Sequence, residues 1–315
     1  MTGRPDARGE KPGPGGAGGE GREREGDKGS VPPARRAPGR AHHRAAGRGH
    51  GRRLTRRRRR RLAQGLQYLL LAAVLALAAL SADWDRLARQ FAQTDLVSRL
   101  FPEVITVALR NTVVYTLSGF LLGLVLGLLI ALMRLSSVAP YRWLATVYIE
   151  FFRGLPALLI FIFVGVAVPL AFPGTEIPGG TYGKVALGLG LVAAAYMAET
   201  IRAGIQAVPR GQMEAARSLG FSHTRAMVSV IIPQALRIVV PPLTNELVLL
   251  FKDSSLVLFL GVTLDERELT KFGRDLASQS ANSTPILVAG LCYLLVTVPL
   301  SLVVRRLEAK AAKGA

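Results

Sequence analysis

The sequence Glu214-Ala215-Ala216-Arg217-Ser218-Leu219-Gly220, which runs on to Val230-Ile231-Ile232-Pro233, lies between two long apolar segments. Gly220 follows Glu-Ala-Ala after three residues, and an aliphatic-x-aliphatic-Pro sequence follows Gly220 after nine more. We predict that this polar stretch is a compact structural unit between two membrane-spanning segments.

Local chemistry predicts the shape of that unit. Pro209 and Gly211 are expected to end the preceding helix. Residues 212–219 then form a short helix with Ala215, Ala216 and Leu219 on one side. Gly220 is expected as a left-handed C-cap, and Ser222 as the N-cap of a second short helix over residues 223–231. Two short helices that meet at a glycine predict a knob whose small side chains let another protein approach closely.

Composition divides the chain into a basic tail and an apolar remainder. Residues 1–61 hold 19 Lys and Arg against 6 Asp and Glu, which accounts for +13 of the formal net charge of +19. The segment is rich in Gly and Pro and poor in large apolar side chains, so burial cannot offset its ordering entropy. We expect residues 1–61 to be a disordered cytoplasmic tail that contacts membrane lipid and binds no nucleic acid.

An apolar run from Leu62 to Leu80 directly follows the arginines at 56–61. It exceeds the length of a typical signal-peptide core, which favours a first transmembrane helix with a basic cytoplasmic flank. Within residues 62–102, this helix is followed by a segment of mixed charge. We expect that segment to lie outside, partly as an interfacial helix with Trp84 at headgroup level.

Five further apolar segments predict five more spans, at about residues 103–133, 143–170, 182–208, 234–260 and 285–304. The first of these five carries glycines at four-residue spacing, a pattern typical of close helix packing in membranes: Gly119, Gly123 and Gly127. The predicted fold class is an all-α integral membrane protein with six transmembrane helices. Residues 307–315 are expected to be a short cytoplasmic tail.

The distribution of arginines and lysines predicts how the chain is oriented in the membrane. They are abundant near residues 52–61, 134–142, 202–237 and 305–313, and the intervening segments mix signs or carry few charges. The positive-inside rule therefore predicts that both termini and the Glu214 loop are cytoplasmic, in a multi-pass protein of the cell membrane. The single Cys292 excludes an intrachain disulfide, and the histidines show no metal-ligand spacing.

Seven charged residues lie within or near the apolar spans. A charge at the membrane centre costs about 2.5–3.5 kcal/mol on insertion scales, so each should pair or face a cavity. Two pairs have the three-residue spacing of intrahelical ion pairs, and all seven are candidates either for such structural pairs or for the substrate pathway: Glu150, Arg153, Glu199, Arg202, Glu246, Lys252 and Asp253.

The Glu214–Pro233 stretch resembles the EAA loop of permease subunits of ATP-binding-cassette (ABC) importers. Four further segments resemble signatures of the polar amino-acid branch of that family: residues 152–156, 195–202, 208–212 and 252–256. Leu155 and Ser254 depart mildly from the usual Phe-Arg-Gly-Thr-Pro and Lys-Asp-Thr-Ser-Leu. The resemblance covers roughly residues 103–306, and the tail and first span lie outside the usual five-helix core.

This resemblance implies a division of labour. The chain would form the translocation pathway for a polar amino acid, together with a second permease subunit in a homo- or heterodimer. An external binding protein would deliver the substrate, and two ABC ATPase subunits would bind and hydrolyse ATP. The coupling loop that contacts the ATPase would contain Glu214, Ala215, Ala216, Gly220 and Pro233.

The absence of nucleotide-binding and catalytic motifs agrees with the assignment of ATP hydrolysis to separate subunits. It has no G-x-x-x-x-G-K-[ST] phosphate loop and no Ser/His/Asp constellation, so we expect no catalytic site, cofactor or metal in this chain. A secondary transporter that uses its own membrane charges is an alternative. A channel-like membrane protein with a lipid-binding basic tail is another. Neither alternative accounts for the spacing around Glu214.

Overall fold

The computed structural model describes residues 56–174 and 176–313 of the chain, and these residues contain helices and connecting turns but no β-strand. Short π-helical turns precede or interrupt three helices, at Val104–Leu109, Phe163–Ala167 and Met227–Ile231. Two 3-10 helices are present at Ser254–Leu260 and Leu264–Glu266. The α-helices in chain order are α1 (Arg56–Ser81), α2 (Trp84–Phe91), α3 (Thr94–Leu100), α4 (Arg110–Leu135), α5 (Ala139–Gly154), α6 (Ala157–Ile162), α7 (Val168–Ala171), α8 (Gly180–Ala207), α9 (Arg210–Ser218), α10 (His223–Ala226), α11 (Ile232–Asp253), α12 (Leu269–Ser280) and α13 (Thr284–Lys313).

Helix α1 contains the arginine run. It begins at Arg56, so residues 56–61, expected in the disordered tail, form its first turns. Arginine has a high helix propensity, which allows the apolar helix to extend back through the basic flank. The expected disorder of the rest of the tail concerns residues 1–55, which lie outside the described part of the chain.

Helices long and apolar enough to cross a membrane confirm the predicted class. Within the described residues five qualify: Arg59–Ser81, Val104–Leu135, Gly180–Ala207, His223–Leu260 and Thr284–Lys310. Helix α5 and the segment Ala157–Ala171 pass the same test only together, as a bent pair, so the count is six if this pair is one span. The last helix reaches Lys313, so the expected tail at 307–315 is mostly a helical extension of the span.

The predicted third span, residues 143–170, is not one straight helix. Its two halves meet at an angle of 104° between Gly154 and Ala157. Leu155 is extended (φ −101°, ψ 141°) because the following Pro156 disfavours helical backbone at the residue before it. Pro156 also has no N–H to donate to the helix.

Helices α4 and α8 form the centre of the fold. The glycines at 119, 123 and 127 of α4 are buried and lie against Leu189, Ala193 and Met197 of α8. A Cβ added at Gly123 would lie 2.8 Å from the Cβ of Ala193. The glycine spacing therefore serves close packing of two membrane helices, as predicted from the sequence.

A second core joins α3, α12 and α13. Leu100, Leu269, Phe272 and Cys292 belong to this buried cluster. The connection between the fifth and sixth predicted spans therefore contains the packed helix α12. Gln93 N–H also donates to Thr284 Oγ1 at 3.1 Å, which ties the segment after α2 to the start of α13.

Candidate functional site

The predicted glycine cap ends α9 as expected. Gly220 has φ +84°, in the left-handed region. Phe221 N–H donates to Ala216 O at 3.2 Å, and Gly220 N–H donates to Arg217 O at 3.0 Å. These two bonds form a Schellman motif, which requires a residue that tolerates positive φ at this position.

The chain after the cap enters a new helix at once. Ser222 Oγ accepts a hydrogen bond from Arg225 N–H at 3.2 Å and so caps α10, as predicted. The expected second short helix does not end at residue 231, because the helix from His223 to Leu260 is continuous. Pro233 does not close the stretch, because the π-helical turn Met227–Ile231 leads directly into α11 just before it.

The orientation of α9 differs in part from the sequence expectation. Gly211 lies inside α9 instead of ending the preceding helix, and Pro209 is the N-cap. Ala216 is buried, and Glu214 and Ala215 face solvent. Leu219 is 80% exposed, although the sequence places it on the same side as Ala216. Leu219 follows the exposed Ala215 by four residues and so lies on its side of the helix, away from Ala216.

An apolar cluster anchors α9 to the spans on both sides of it. Val208, Ile231 and Ala235 are its buried members, and Met213 and Met227 pack against them. A side-chain hydrogen bond from Gln234 Nε2 to Gln212 Oε1, at 3.3 Å, adds a polar link between α9 and α11. The apolar cluster and this hydrogen bond therefore fix both ends of the loop, and its exposed residues lie on the side away from the cluster.

Of the two ion pairs predicted within the membrane spans, the pair Glu199–Arg202 forms. Arg202 Nε donates to Glu199 Oε2 at 2.8 Å, and both side chains are half-buried. Arg202 Nη1 also donates to Gln206 Oε1 at 2.9 Å. These contacts favour a structural role for the Glu199–Arg202 pair.

The other predicted pair, Glu150 with Arg153, does not form. Both residues are exposed at the end of α5, and the guanidinium of Arg153 lies over the ring of Tyr196, 5.5 Å from its centroid. A cation over an aromatic face is attracted by the ring quadrupole, so Tyr196 replaces Glu150 as the partner. This contact links α5, just before its break, to α8.

Polar and charged residues form a stripe along one side of α11. Asn245 and Lys252 are exposed, and Glu246 and Asp253 are half-buried. A seven-residue spacing, close to two helical turns, places Lys252 on the face of Asn245 and Asp253 on the adjoining face of Glu246. The ion pairs of the described residues include none of these side chains. Because a lone charge in lipid is costly, this face is suited to a water-filled cavity or a partner subunit.

A polar cluster that the sequence did not reveal holds the 263–269 turn. Asn111 Nδ2 donates to Asp265 O at 2.7 Å and to Arg267 O at 3.1 Å. Tyr115 Oη donates to Glu266 O at 2.8 Å, and Tyr182 Oη donates to Asn111 Oδ1 at 2.8 Å. The donors lie in apolar spans and their partners are far away in sequence, most of them backbone carbonyls, so no sequence pattern indicated the contact.

Two carboxyl groups beside this cluster differ in environment. Glu266 accepts hydrogen bonds from the N–H and Oγ1 of Thr263, and these bonds lower the pKa of Glu266 below its usual value. Glu268 caps α12 and is fully buried, and loss of solvation raises its pKa. Hydrogen bonds to the Glu268 carboxylate act in the opposite direction and do not outweigh burial.

The described helices, with an anchored loop between two of the spans, are those of a multi-pass membrane protein. The family described as "Binding-protein-dependent transport system inner membrane component" matches residues 123–313. The chain belongs to this family.

Known relatives and a solved structure agree with that membership. The probable glutamine ABC transporter permease GlnM of Bacillus subtilis is 41% identical over 198 residues, which cover 60% of this chain and 85% of GlnM. The arginine transport system permease ArgU of Corynebacterium glutamicum is 38% identical, with 64% of this chain and 66% of ArgU covered. The crystal structure of an amino acid ABC transporter with histidines has a TM-score of 0.62 and 32% identity, and covers 70% of this chain and 99% of that chain.

Proposed function

We propose that this chain forms the membrane pathway of an ABC importer for a polar amino acid. The named substrates of its relatives, glutamine and arginine among them, support this class but differ from one another. The family is one of membrane components of binding-protein-dependent systems. An external binding protein would therefore deliver the substrate, and the import step needs no catalytic group in this chain.

The coupling to ATP would be made at the loop formed by residues 212–232. The observation that carries this proposal is the Schellman motif at Gly220, which ends a helix anchored at its base and projects Leu219 outward. Glu214 and Ala215 share the exposed side, where a small residue allows close approach of a partner backbone. ATP would be bound by two ATPase subunits, and this chain would hold no cofactor.

The loop and both termini would lie on the cytoplasmic side of the membrane. Support comes from the arginines and lysines, which concentrate in the segments that this orientation places inside. The coupling loop would then face the compartment that supplies ATP.

The substrate pathway would follow the polar stripe of α11. Glu246, Lys252 and Asp253 lack ion-pair partners in the described chain, so a zwitterionic substrate or a second permease subunit would complete their environment. Glu199 and Arg202 already satisfy each other and would support α8 instead. A dimer of permease subunits would place two such stripes around one passage.

Gly220→Val tests the coupling proposal. Valine at φ +84° is strained by its branched Cβ, so the cap and the position of Leu219 would be lost although the space around Gly220 is open. Gly290→Val is the matched control, since Gly290 has no neighbour within 4 Å and no positive φ. Co-purification of the ATPase and substrate-stimulated ATP hydrolysis in proteoliposomes are the measurements.

We expect both variants to reach the membrane at wild-type level. The Gly220→Val protein should lose ATPase binding and stimulation, and the Gly290→Val protein should keep both. Full stimulation in the Gly220→Val protein would show that coupling takes place elsewhere.

A further inference from the structure

A cleft of about 420 Å³ opens beside α9, between the end of α8 and the π-helical turn Met227–Ile231. Its floor is apolar and includes Val208, Met213, Met227 and Ile231. Two polar residues, Gln206 and Arg210, lie at its edge. The cleft is thus amphipathic, with an apolar lining and two exposed polar residues, Gln206 and Arg210, that form its rim.

The rim offers hydrogen-bond donors and a positive charge. Arg210 is exposed and takes part in none of the ion pairs of the described residues. Gln206 uses its Oε1 to accept from Arg202, so its amide nitrogen remains a donor. The carboxylate nearest in the α8 sequence, Glu199, is already paired with Arg202. An anionic group at this rim would meet donors without facing an unpaired acid on α8.

The position of the cleft indicates which anion it meets. Helix α8 is a membrane-spanning helix that ends at Ala207, so the cleft lies where the chain leaves the apolar phase. In the orientation proposed above this is the inner leaflet, where anionic lipids are concentrated and basic residues gain about 1 kcal/mol each. Methionine side chains adapt to irregular apolar shapes, which suits an acyl chain.

We propose that this cleft binds one anionic phospholipid, with its phosphate against Arg210 and Gln206 and an acyl chain between Met213 and Met227. The positive rim selects an anionic lipid over a zwitterionic one. A lipid in this position would contact the base of the coupling loop directly. The inference goes beyond amino-acid import. It rests on the proposed function only in that the proposed orientation places the cleft at the inner leaflet.

Native mass spectrometry of the full-length chain tests the site. Purified protein in detergent is exposed to equal amounts of phosphatidylglycerol and phosphatidylcholine, and the retained lipid is identified. We expect one phosphatidylglycerol to be retained in preference. Arg210→Gln should reduce its retention about fivefold, which corresponds to about 1 kcal/mol for one arginine at an anionic surface.

Two further variants make the test specific. Met227→Phe narrows the cleft and keeps Arg210, so it should reduce retention although no charge is lost. Arg237→Gln removes an exposed arginine near the base of α11 that does not line the cleft, so retention should stay at the wild-type value. A thermal unfolding scan of each variant confirms that the protein is folded.

Several outcomes would overturn the proposal. One is equal retention of both lipids by the wild type, and another is equal loss in Arg210→Gln and Arg237→Gln. Displacement of the lipid by inorganic phosphate, with no effect of Met227→Phe, would indicate a site for a free anion. None of these measurements needs ATP or an amino acid, so failure of import would leave the result unaffected.

Discussion

The hydroxyl of Tyr293 donates a hydrogen bond of 2.7 Å to Oε2 of Glu268 and so joins the last membrane span to the start of α12. The same carboxylate accepts from the backbone N–H groups of Thr270 and Lys271, each at 2.6 Å. Glu268 is therefore both the N-cap of α12 and its attachment to α13. A fully buried carboxyl in this position links the stability of the 263–280 region to pH.

We expect the protein to lose stability as the pH rises above about 4.5, through the raised pKa of Glu268. Burial favours the neutral acid, so the folded chain binds this proton more tightly than the unfolded chain. The stabilising contribution is thus complete below the unfolded pKa and is lost as the pH passes the folded one. Thermal unfolding in detergent across this range is the measurement, and Glu268→Gln should flatten the profile.

Glu266 provides the matched control, because its pKa is shifted in the opposite direction. Hydrogen bonds from Thr263 favour its ionised form, so its contribution is present above pH 4.5 and is lost as the pH falls through the lowered pKa. Glu266→Gln should therefore change the profile only on the acid side. A pH profile above 4.5 that Glu268→Gln leaves unaltered would contradict the assignment.

Gly123→Ala is expected to destabilise the protein by about 1–3 kcal/mol, the usual range for overpacking a close-packed interior. The added Cβ would lie 2.8 Å from Ala193 Cβ, so α4 and α8 must move apart. Gly290→Ala should have little effect, because no atom outside the local helix backbone lies within 4 Å of the new Cβ. Thermal unfolding in detergent compares the two variants, and equal midpoints would show that the helix contact is looser than described.

Glu246→Gln is expected to lower amino-acid uptake severalfold at an unchanged amount of protein in the membrane. The half-buried side chain lies on the polar stripe of α11 without an ion-pair partner in the described chain, so loss of its charge should alter the pathway more than the fold. Glu103→Gln, at an exposed acid just before the second span, is the control. A parallel fall in uptake and protein level would indicate a structural role for Glu246.

Single-cysteine labelling should show that the Glu214 loop and α12 lie on opposite sides of the membrane. With Cys292→Ser as the background, a cysteine at the exposed Ser278 should react with an impermeant maleimide added outside intact cells. A cysteine at the exposed Thr224 should react only after the membrane is opened. Labelling of position 224 from outside would reverse the proposed orientation.

The sequence could predict those features of the fold that depend on neighbouring residues or on a regular spacing. The apolar runs define the spans, Gly220 and Ser222 define the caps, and the glycines of α4 define a packed face, because each depends on neighbours in sequence. The partner of Arg153 could not be found in this way, since Tyr196 is brought near by the packing of α5 on α8 and not by helical spacing.

The polar cluster around Asn111 was hidden for a similar reason. Asn111, Tyr115 and Tyr182 look like isolated polar residues in apolar spans, and the acceptors of the first two are main-chain carbonyls about 150 residues further on. Main-chain groups carry no residue-type signal, so only the folded chain reveals the contact. The continuation of α10 into α11 was also missed, because Pro233 indicates a helix end in sequence but here follows a π-helical turn within a continuous helical segment.

The continuous helical segment from His223 to Leu260, which includes the π-helical turn Met227–Ile231 and the 3-10 helix Ser254–Leu260, connects the coupling loop to Gly261. At 1.5 Å per residue its 38 residues span roughly 57 Å, more than the thickness of a bilayer. Pro241 and Pro242 lie near its middle and remove two backbone hydrogen bonds there, so the helix can bend at this point. A tilt of the half that begins at His223 would therefore be taken up in part at these prolines before it reached Gly261 and the 263–269 turn that Asn111 holds.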